Sequence, residues 1–575
     1  MRAAAAVALG MLAGLLALAP SAAQAASTVT QPTPPVSASS FPQEPTGAAP
    51  VDGDGLIPNP ETPTGSAIAA PDSCTVTFTS ASGATSATVN TWISQHENGL
   101  TSTAVVCLSG TFTSPLHVWA KSSTALLELA PAPGSTATLD LGSVKAADID
   151  PNQFWSDAGG MSIVDSRSVE VYGLTIENYT TDGTTFSPAG IYVTVRSDDT
   201  EHLSACFAGG GSCSDIYILD DTVRHITNTA DETFRTAKPC ATPDVAAYGI
   251  AVIAAGSSTS PALQHVVVEG DTVSGTRTGE SETTTFNGDL EDFLVADNTI
   301  DNVDNIGIDT IGWEVGSSQA NHAHIYDNVV YNVDTLSNGA YGTWNGSTCV
   351  SQPENAAGIY DDGGSYIWID GNTVWNTDQG INLDVETKGK STGHLLVSGN
   401  TVHDDPGTSS ADPSDGPNPP GTSGSSTVAG HDLVAFYVDA FGSGARISDV
   451  YAHDNVFQNE SQYFLDPSDG MPTVDVGGIW SDVELWHNTV EGEGATDLYN
   501  PLMEVDELPA AGTSVINCND YGDLSTSAST VNGNFALPST SWLKLSGWQS
   551  GNGHGWDTDS AVGAFSTACP TTSAP

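Results

Sequence analysis

The chain has 575 residues, and its 69 Asp and Glu against 13 Lys and Arg give a formal charge of −56. A surface that acidic repels nucleic acid and anionic membranes, which removes both as partners. It serves solubility and tolerance of salt, and a polyanionic glycan would need cations to bridge it.

Residues 1–25 carry one early cation, Arg2, an apolar run ending near Leu18 and an A-x-A-like stop at Ala23-Gln24-Ala25. That pattern predicts a secretory signal and therefore a secreted, extracellular protein. Residues 26–72 are rich in Pro, Ser and Thr with no hydrophobic period, and predict a flexible segment. Residues 73–575 are then one folded domain, and no stretch in them approaches the length of a membrane span. Eight cysteines in an exported chain predict disulfides rather than a zinc site. The expected pairs are Cys74 with Cys107 and Cys518 with Cys569, while the pairing of Cys206, Cys213, Cys240 and Cys349 stays open.

From residue 86 to 99 the spacing predicts a short helix capping the open end of the domain. The first strands are expected at 103–112 and 124–134. An apolar strand ending in Asn or Asp and a β-branched residue then recurs, as in "VADNTIDN" (295–302), "IYDNVVYN" (325–332), "IDGNTVWN" (369–376) and "VSGNTVHD" (397–404). The nearest copies are 27, 30, 28 and 33 residues apart. β-Branched strands repeating at that period, with Gly and Asn rather than helices between them, predict an all-β fold: a single-stranded right-handed parallel β-helix with inserted loops. Asn298, Asn328, Asn372, Asn400, Asn455 and Asn488 would each turn one coil, since Asn tolerates the left-handed backbone. The tail, 541–569, would close the far end, and two capped ends argue for a monomer.

A second series opens with Gly-Ile, at Gly307-Ile308, Gly358-Ile359 and Gly380-Ile381, with Ala435-Phe436 as the next member. Side chains alternate along a strand, so with Ile facing the core the even positions after Gly face outward. This register predicts Asp309, Asp362, Asp384 and Asp439 as a column on successive coils, with Glu386 beside it and Asp361 in the inward series. Carboxylates on neighbouring coils, about 4.8 Å apart, repel by roughly 3 to 4 kcal/mol at an effective dielectric of about 20. Such a column either splays into water, keeps a proton on one member or binds a cation such as Ca²⁺.

On these repeats and turns, residues 74–569 resemble the pectin-lyase-like superfamily of right-handed parallel β-helix proteins, and "AAGIYDDGG" with "GNTVWNTDQGINLDVE" is similar to a recurrent pattern of bacterial β-helix repeats. The resemblance implies extracellular glycan cleavage along one sheet. Polygalacturonase-like members use N-T-D, D-D, G-H-G and R-I-K. Here Asp361-Asp362 precede Asn376-Thr377-Asp378, Gly553-His554-Gly555 lies in the tail, and R-I-K is absent. Calcium-dependent pectate lyases cluster aspartates and add a Lys or Arg base, for which Lys388, Lys390 and Arg196 are the nearby choices. "IWIDG" (367–371) is similar to a lyase strand motif but has Gly371 in the His position.

The leading expectation is a glycoside hydrolase needing no cofactor. Asp362 and Asp384 are acid and base, Asp309 or Asp439 tunes them, and Glu386 transfers protons or holds substrate. Trp313, Tyr360 and Tyr437 would stack on sugar rings, with Asp439 and Lys388 also in the binding set. The alternatives are a Ca²⁺-dependent polysaccharide lyase, with Asp361, Asp362 and Asp384 on the ion and Lys388 as base, and a non-catalytic glycan-binding or adhesin-like solenoid.

Overall fold

The computed structural model describes residues 73–144, 158–181, 187–195, 213–228, 246–255, 262–333 apart from 280, 316 and 317, 356–403, 434–459 and 472–492, with shorter runs between and after these ending at Val562. The signal and the flexible segment, Arg196, the tail's Gly-His-Gly and the Cys569 half of one expected disulfide lie outside the described residues. The other expected disulfide is present, with Cys74 and Cys107 bridged and their Cα atoms 5.6 Å apart. Cys213 and Cys518 are also disulfide-bonded.

The chain winds as a right-handed parallel β-helix. One sheet of 12 strands, here the front sheet, runs from Leu116–Trp119 to Phe535–Ala536, each strand pairing with those of the coils before and after it. The remaining walls form a 25-stranded assembly in which each coil contributes two short strands, such as Ser365–Asp370 and Thr373–Thr377, joined at a tight corner. Pairing is parallel throughout both.

Each corner from Asn298 to Asn519 holds one buried Asn, but the Asn is not the residue in the left-handed conformation. That residue is the one before it: Asp297, Asp327, Gly371, Gly399, Asp454 and His487 have φ between 53° and 64°. Small or short polar side chains accept that backbone at low cost, and Gly at no cost. The kink then turns the following Asn inward, where its amide stacks on the next. Asn298, Asn328, Asn372, Asn400 and Asn455 each donate Nδ2 to the Oδ1 of the next corner Asn at 2.9 Å. Asn488 extends the series to Asn519 at 3.2 Å. Each Nδ2 also donates to a strand carbonyl of the coil before, as Asn372 does to Ile325 at 2.9 Å.

The Ile of each Gly-Ile pair faces the core as expected, in the row Ile308, Ile359, Ile381 and Phe436. In the first coil the expected cap is the helix Ser86–His96, started by a Thr85–Thr88 capping box and packed through Val89 and Ile93. Asn90 ties it to the first front strand, accepting from His117 N at 3.1 Å. At the other end Trp548 and Trp556 of the tail lie buried against Phe535 and Trp480. Among the described residues no helix is long and apolar enough to cross a membrane.

Candidate active site on the front sheet

Outward positions of the front sheet fall into two rows. One pairs Asp362 with Asp384 and Asp384 with Asp439 on successive coils, as the sequence register predicts. The other runs Thr285, Asp309, Tyr360, Asn382, Tyr437 and Asp475. Asp309 therefore does not stack on Asp362, contrary to expectation: it stands one row over, two positions earlier on its strand. The strand Ile308–Ile311 carries its only acid at the position Tyr360 fills in the next coil.

These carboxylates do not splay into water. Asp362 and Asp384 are each 5% exposed and Asp309 1%. Burial raises all three well above the ordinary carboxylate range, and neighbouring charge adds to it: Glu282 is the largest such contribution on Asp309, and Glu386 on both Asp362 and Asp384. Glu282 itself is pushed up to about 8, by burial and then by Glu314. Glu314 and Glu386 are raised too, again by burial first.

Hydrogen bonds separate the members. Asp384 Oδ1 accepts from the backbone N–H of Phe441 at 3.0 Å and from that of Val385, and Oδ2 accepts from Tyr360 Oη at 3.2 Å. Asp362 Oδ1 accepts from one N–H, that of Glu386, at 2.9 Å. Donors favour the charged form, so Asp384 is the better-held anion and Asp362 the better proton carrier. Tyr360 Oη also lies 2.9 Å from Glu386 Oε1. A phenol has one hydrogen to give, so it satisfies two carboxyl groups only when one of them is protonated and donates back. Asp384 already has two backbone donors, so Glu386, raised by burial, is the less firmly held anion of the two, and Tyr360 links them.

Tyr360 is therefore not an open stacking platform: the residue is 7% exposed and its hydroxyl is engaged. Tyr437 is half-buried and donates to Asp439 Oδ2 at 2.9 Å. Trp313, with φ of 72°, leaves the strand's alternation and packs over Gly363, next to Asp362. Lys390 Nζ lies 4.1 Å from the centroid of that indole, while Lys388 is exposed in the turn before it.

Asp361 is fully buried in the inward row with Leu383 and Val438, accepting from Thr310 Oγ1 at 2.6 Å. It cannot share an ion with Asp362 and Asp384, which point to the opposite side of the sheet. Asp378, the acid of the N-T-D match, is a backbone prop: its Oδ2 accepts from Thr335 N at 3.1 Å and Ala356 N at 3.2 Å. Among the described residues the group that brings three ligand atoms within 4.8 Å of one another lies off the front sheet, at Glu291, Asp292 and His322.

Sequence reasoning missed Glu282 and Glu314 as members. Each lies just outside its strand, Glu282 before Thr284–Gly288 and Glu314 after Ile308–Ile311, where alternation gives no face. Glu314 stands seven residues after Gly307, an inward position by alternation, whereas Glu386 stands six after Gly380; the left-handed backbone at Trp313 breaks that alternation.

No family model matches the chain. Over 241 residues, 42% of the chain, it is 32% identical to the uncharacterized protein YwoF of Bacillus subtilis (strain 168), and the match spans 43% of that protein. Similar solved structures include GH136 lacto-N-biosidase from Eubacterium ramulus, with TM-score 0.41, 10% identity, and coverage of 72% of this chain and 63% of that one. The catalytic unit of a thermostable GH87 alpha-1,3-glucanase from Streptomyces thermodiastaticus strain HF3-3 has TM-score 0.41 and 13% identity over 80% and 68%. The A-module of Azotobacter vinelandii mannuronan C-5 epimerase AlgE6 has TM-score 0.32 and 11% identity over 83% and 95%. Likenesses of this size carry neither reaction nor substrate to this chain.

Proposed function

We propose that this chain is a secreted carbohydrate-active enzyme that hydrolyses glycosidic bonds of an extracellular polysaccharide, acting as a monomer and without a cofactor. The observation that carries the reading is the pair Asp362 and Asp384: directly in register, buried together, and held unequally by hydrogen-bond donors. Asp362, the proton carrier, gives its proton to the leaving oxygen. Asp384, the anion held by Tyr360, attacks the anomeric carbon as the leaving oxygen departs, and Asp362 then takes a proton from the water that hydrolyses the glycosyl-enzyme, so both carboxyl groups return to their starting forms. Burial first, then the charges of Glu386, Glu314 and Asp384, favour the protonated form of the acid, while Asp439, next in the row, acts on Asp384.

Paired positions on adjacent strands put the two carboxyl groups about 5 Å apart, the spacing of a retaining mechanism, whereas Asp362 with Asp439, one strand further, would leave room for water and invert. Support for a Ca²⁺-dependent lyase is weaker, because Asp361 faces the core, away from Asp362 and Asp384.

A screen of plant, algal and microbial glycans tests the reading. The expected result is reducing ends without near-ultraviolet absorbance, unaffected by chelator, with the configuration of the first product retained. Asp362→Asn and Asp384→Asn should each lower kcat by about 10²- to 10⁴-fold. Glycan binding that persists in both variants, with no product from any polymer, would instead identify a binding solenoid.

A further inference from the structure

The outward rows around the candidate pair carry an excess of hydrogen-bond acceptors. Asp309 Oδ1, Asn287 Oδ1 and Asn382 Oδ1 are buried with no hydrogen-bond partner, in residues 1%, 7% and 5% exposed. The two amides have defined orientations: Asn287 Nδ2 donates to Glu314 Oε2 at 3.1 Å, and Asn382 Nδ2 to Gln379 Oε1 at 2.7 Å. What each leaves unpaired is thus its acceptor. Buried acceptors without donors are costly, so three of them on one face point to a ligand that brings N–H or O–H groups.

Charge narrows the ligand further. Glu282, Asp309, Glu314, Asp362 and Glu386 act on one another as like charges, and two carboxyl groups suffice for hydrolysis. A uronic acid polymer would add anions to that field. A neutral glycan supplies hydroxyl donors and leaves these acids protonated, whereas a cation would favour their ionised form. A sugar with a free, protonated amine supplies three N–H donors and one positive charge at each residue. The protein already places one primary ammonium, that of Lys390, against Trp313 beside this cluster.

We propose that the substrate is a polycationic glycan of amino sugars bearing free ammonium groups, and that Asp309 is the residue that binds the ammonium. The proposal deepens the hydrolase reading and rests on it for cleavage, but not for binding.

Titration calorimetry on the full chain tests it, with fully deacetylated and fully N-acetylated glucosamine oligosaccharides of equal length, the same pair made of galactosamine, and oligogalacturonate. One deacetylated series should bind at least about tenfold more tightly than its N-acetylated counterpart, the size of one charge-assisted hydrogen bond, and oligogalacturonate should bind most weakly. Asp309→Asn should remove most of that preference. Asp297→Asn removes the same charge from an exposed corner away from the front sheet and should leave it intact. Equal binding of both members in both pairs overturns the proposal even if Asp309→Asn fails to fold. An equal loss in the two variants also overturns it, since attraction would then come from the acidic surface at large. Reducing ends are followed separately. Cleavage of a neutral glycan with no amine preference sinks this proposal and spares the hydrolase. Tight, Asp309-dependent binding of an amino glycan without cleavage does the reverse.

Discussion

At the corner of the solenoid, seven Asn side chains from Asn298 to Asn519 stack one per coil, and on the front sheet Asp362, Asp384 and Asp439 stack on the same rise. Both columns are buried or nearly so and both repeat with the backbone, yet they differ in one respect. An amide carries donor and acceptor, so each Asn satisfies the next, whereas ionised carboxylates only accept and each repels the next. Where stacked side chains complete one another the repeat is scaffold. Where they cannot, the deficit has to be met by protons or by a ligand, and that is where chemistry is expected.

The largest effect should follow from breaking the satisfied column. Asn372→Ala removes bonds to Asn400, the Ile325 carbonyl, and both the backbone N–H and Nδ2 of Asn328. Several buried partners are orphaned at once, and denaturant unfolding should show a loss of about 3 to 6 kcal/mol. The frustrated column should respond with the opposite sign: Asp362→Asn and Asp384→Asn are expected to raise the thermal midpoint at neutral pH while abolishing turnover. A drop in midpoint for both would make that column structural.

Asp361 sharpens the contrast through pH. Burial pushes it from an ordinary value of 3.8 up to about 7, so its protonated form contributes stability that is complete below about pH 4 and lost as pH rises through about 7. The wild-type midpoint should therefore decline over that interval. Asp361→Asn, which keeps an acceptor for Thr310, should flatten the decline by a few degrees. Glu282, pushed up to about 8, extends the same trend toward alkaline pH.

The smallest effect comes from lengthening the ladder. The two coils before Asn298 put Asp221 and Asp271 at the corner, both raised by burial, and Asp271 Oδ2 has no hydrogen-bond partner. Asp271→Asn gives that corner the donor its successors have, and should add about 1 kcal/mol at neutral pH by urea unfolding.

The fold was legible because its signals are local and repeated: a β-branched strand, a turn residue, an Asn. What the repeat hid was division of labour at the corner, where "DN" and "GN" read as one turn although the first residue bends the chain and the second fills the core. The register of Asp362, Asp384 and Asp439 followed from alternation alone. Asp309 was misplaced because alternation fixes the side of the sheet and not the row along it. Tyr360 read as a sugar platform because nothing in a sequence tells an exposed ring from one drawn down between two carboxyl groups, and Trp313 left its register through a single left-handed residue.

The Asn ladder also has a polarity. Every amide in it points its nitrogen toward the later coil, so their dipoles add head to tail along the axis, as peptide dipoles do in a helix. The positive pole emerges at Asn519, whose Nδ2 faces Asp557 Oδ1 at 3.4 Å, an acid also held by Tyr521 and Trp548. The C-terminal plug thus closes an electrical end as well as a greasy one, and chains cut before Asp557 should fray from that pole inward.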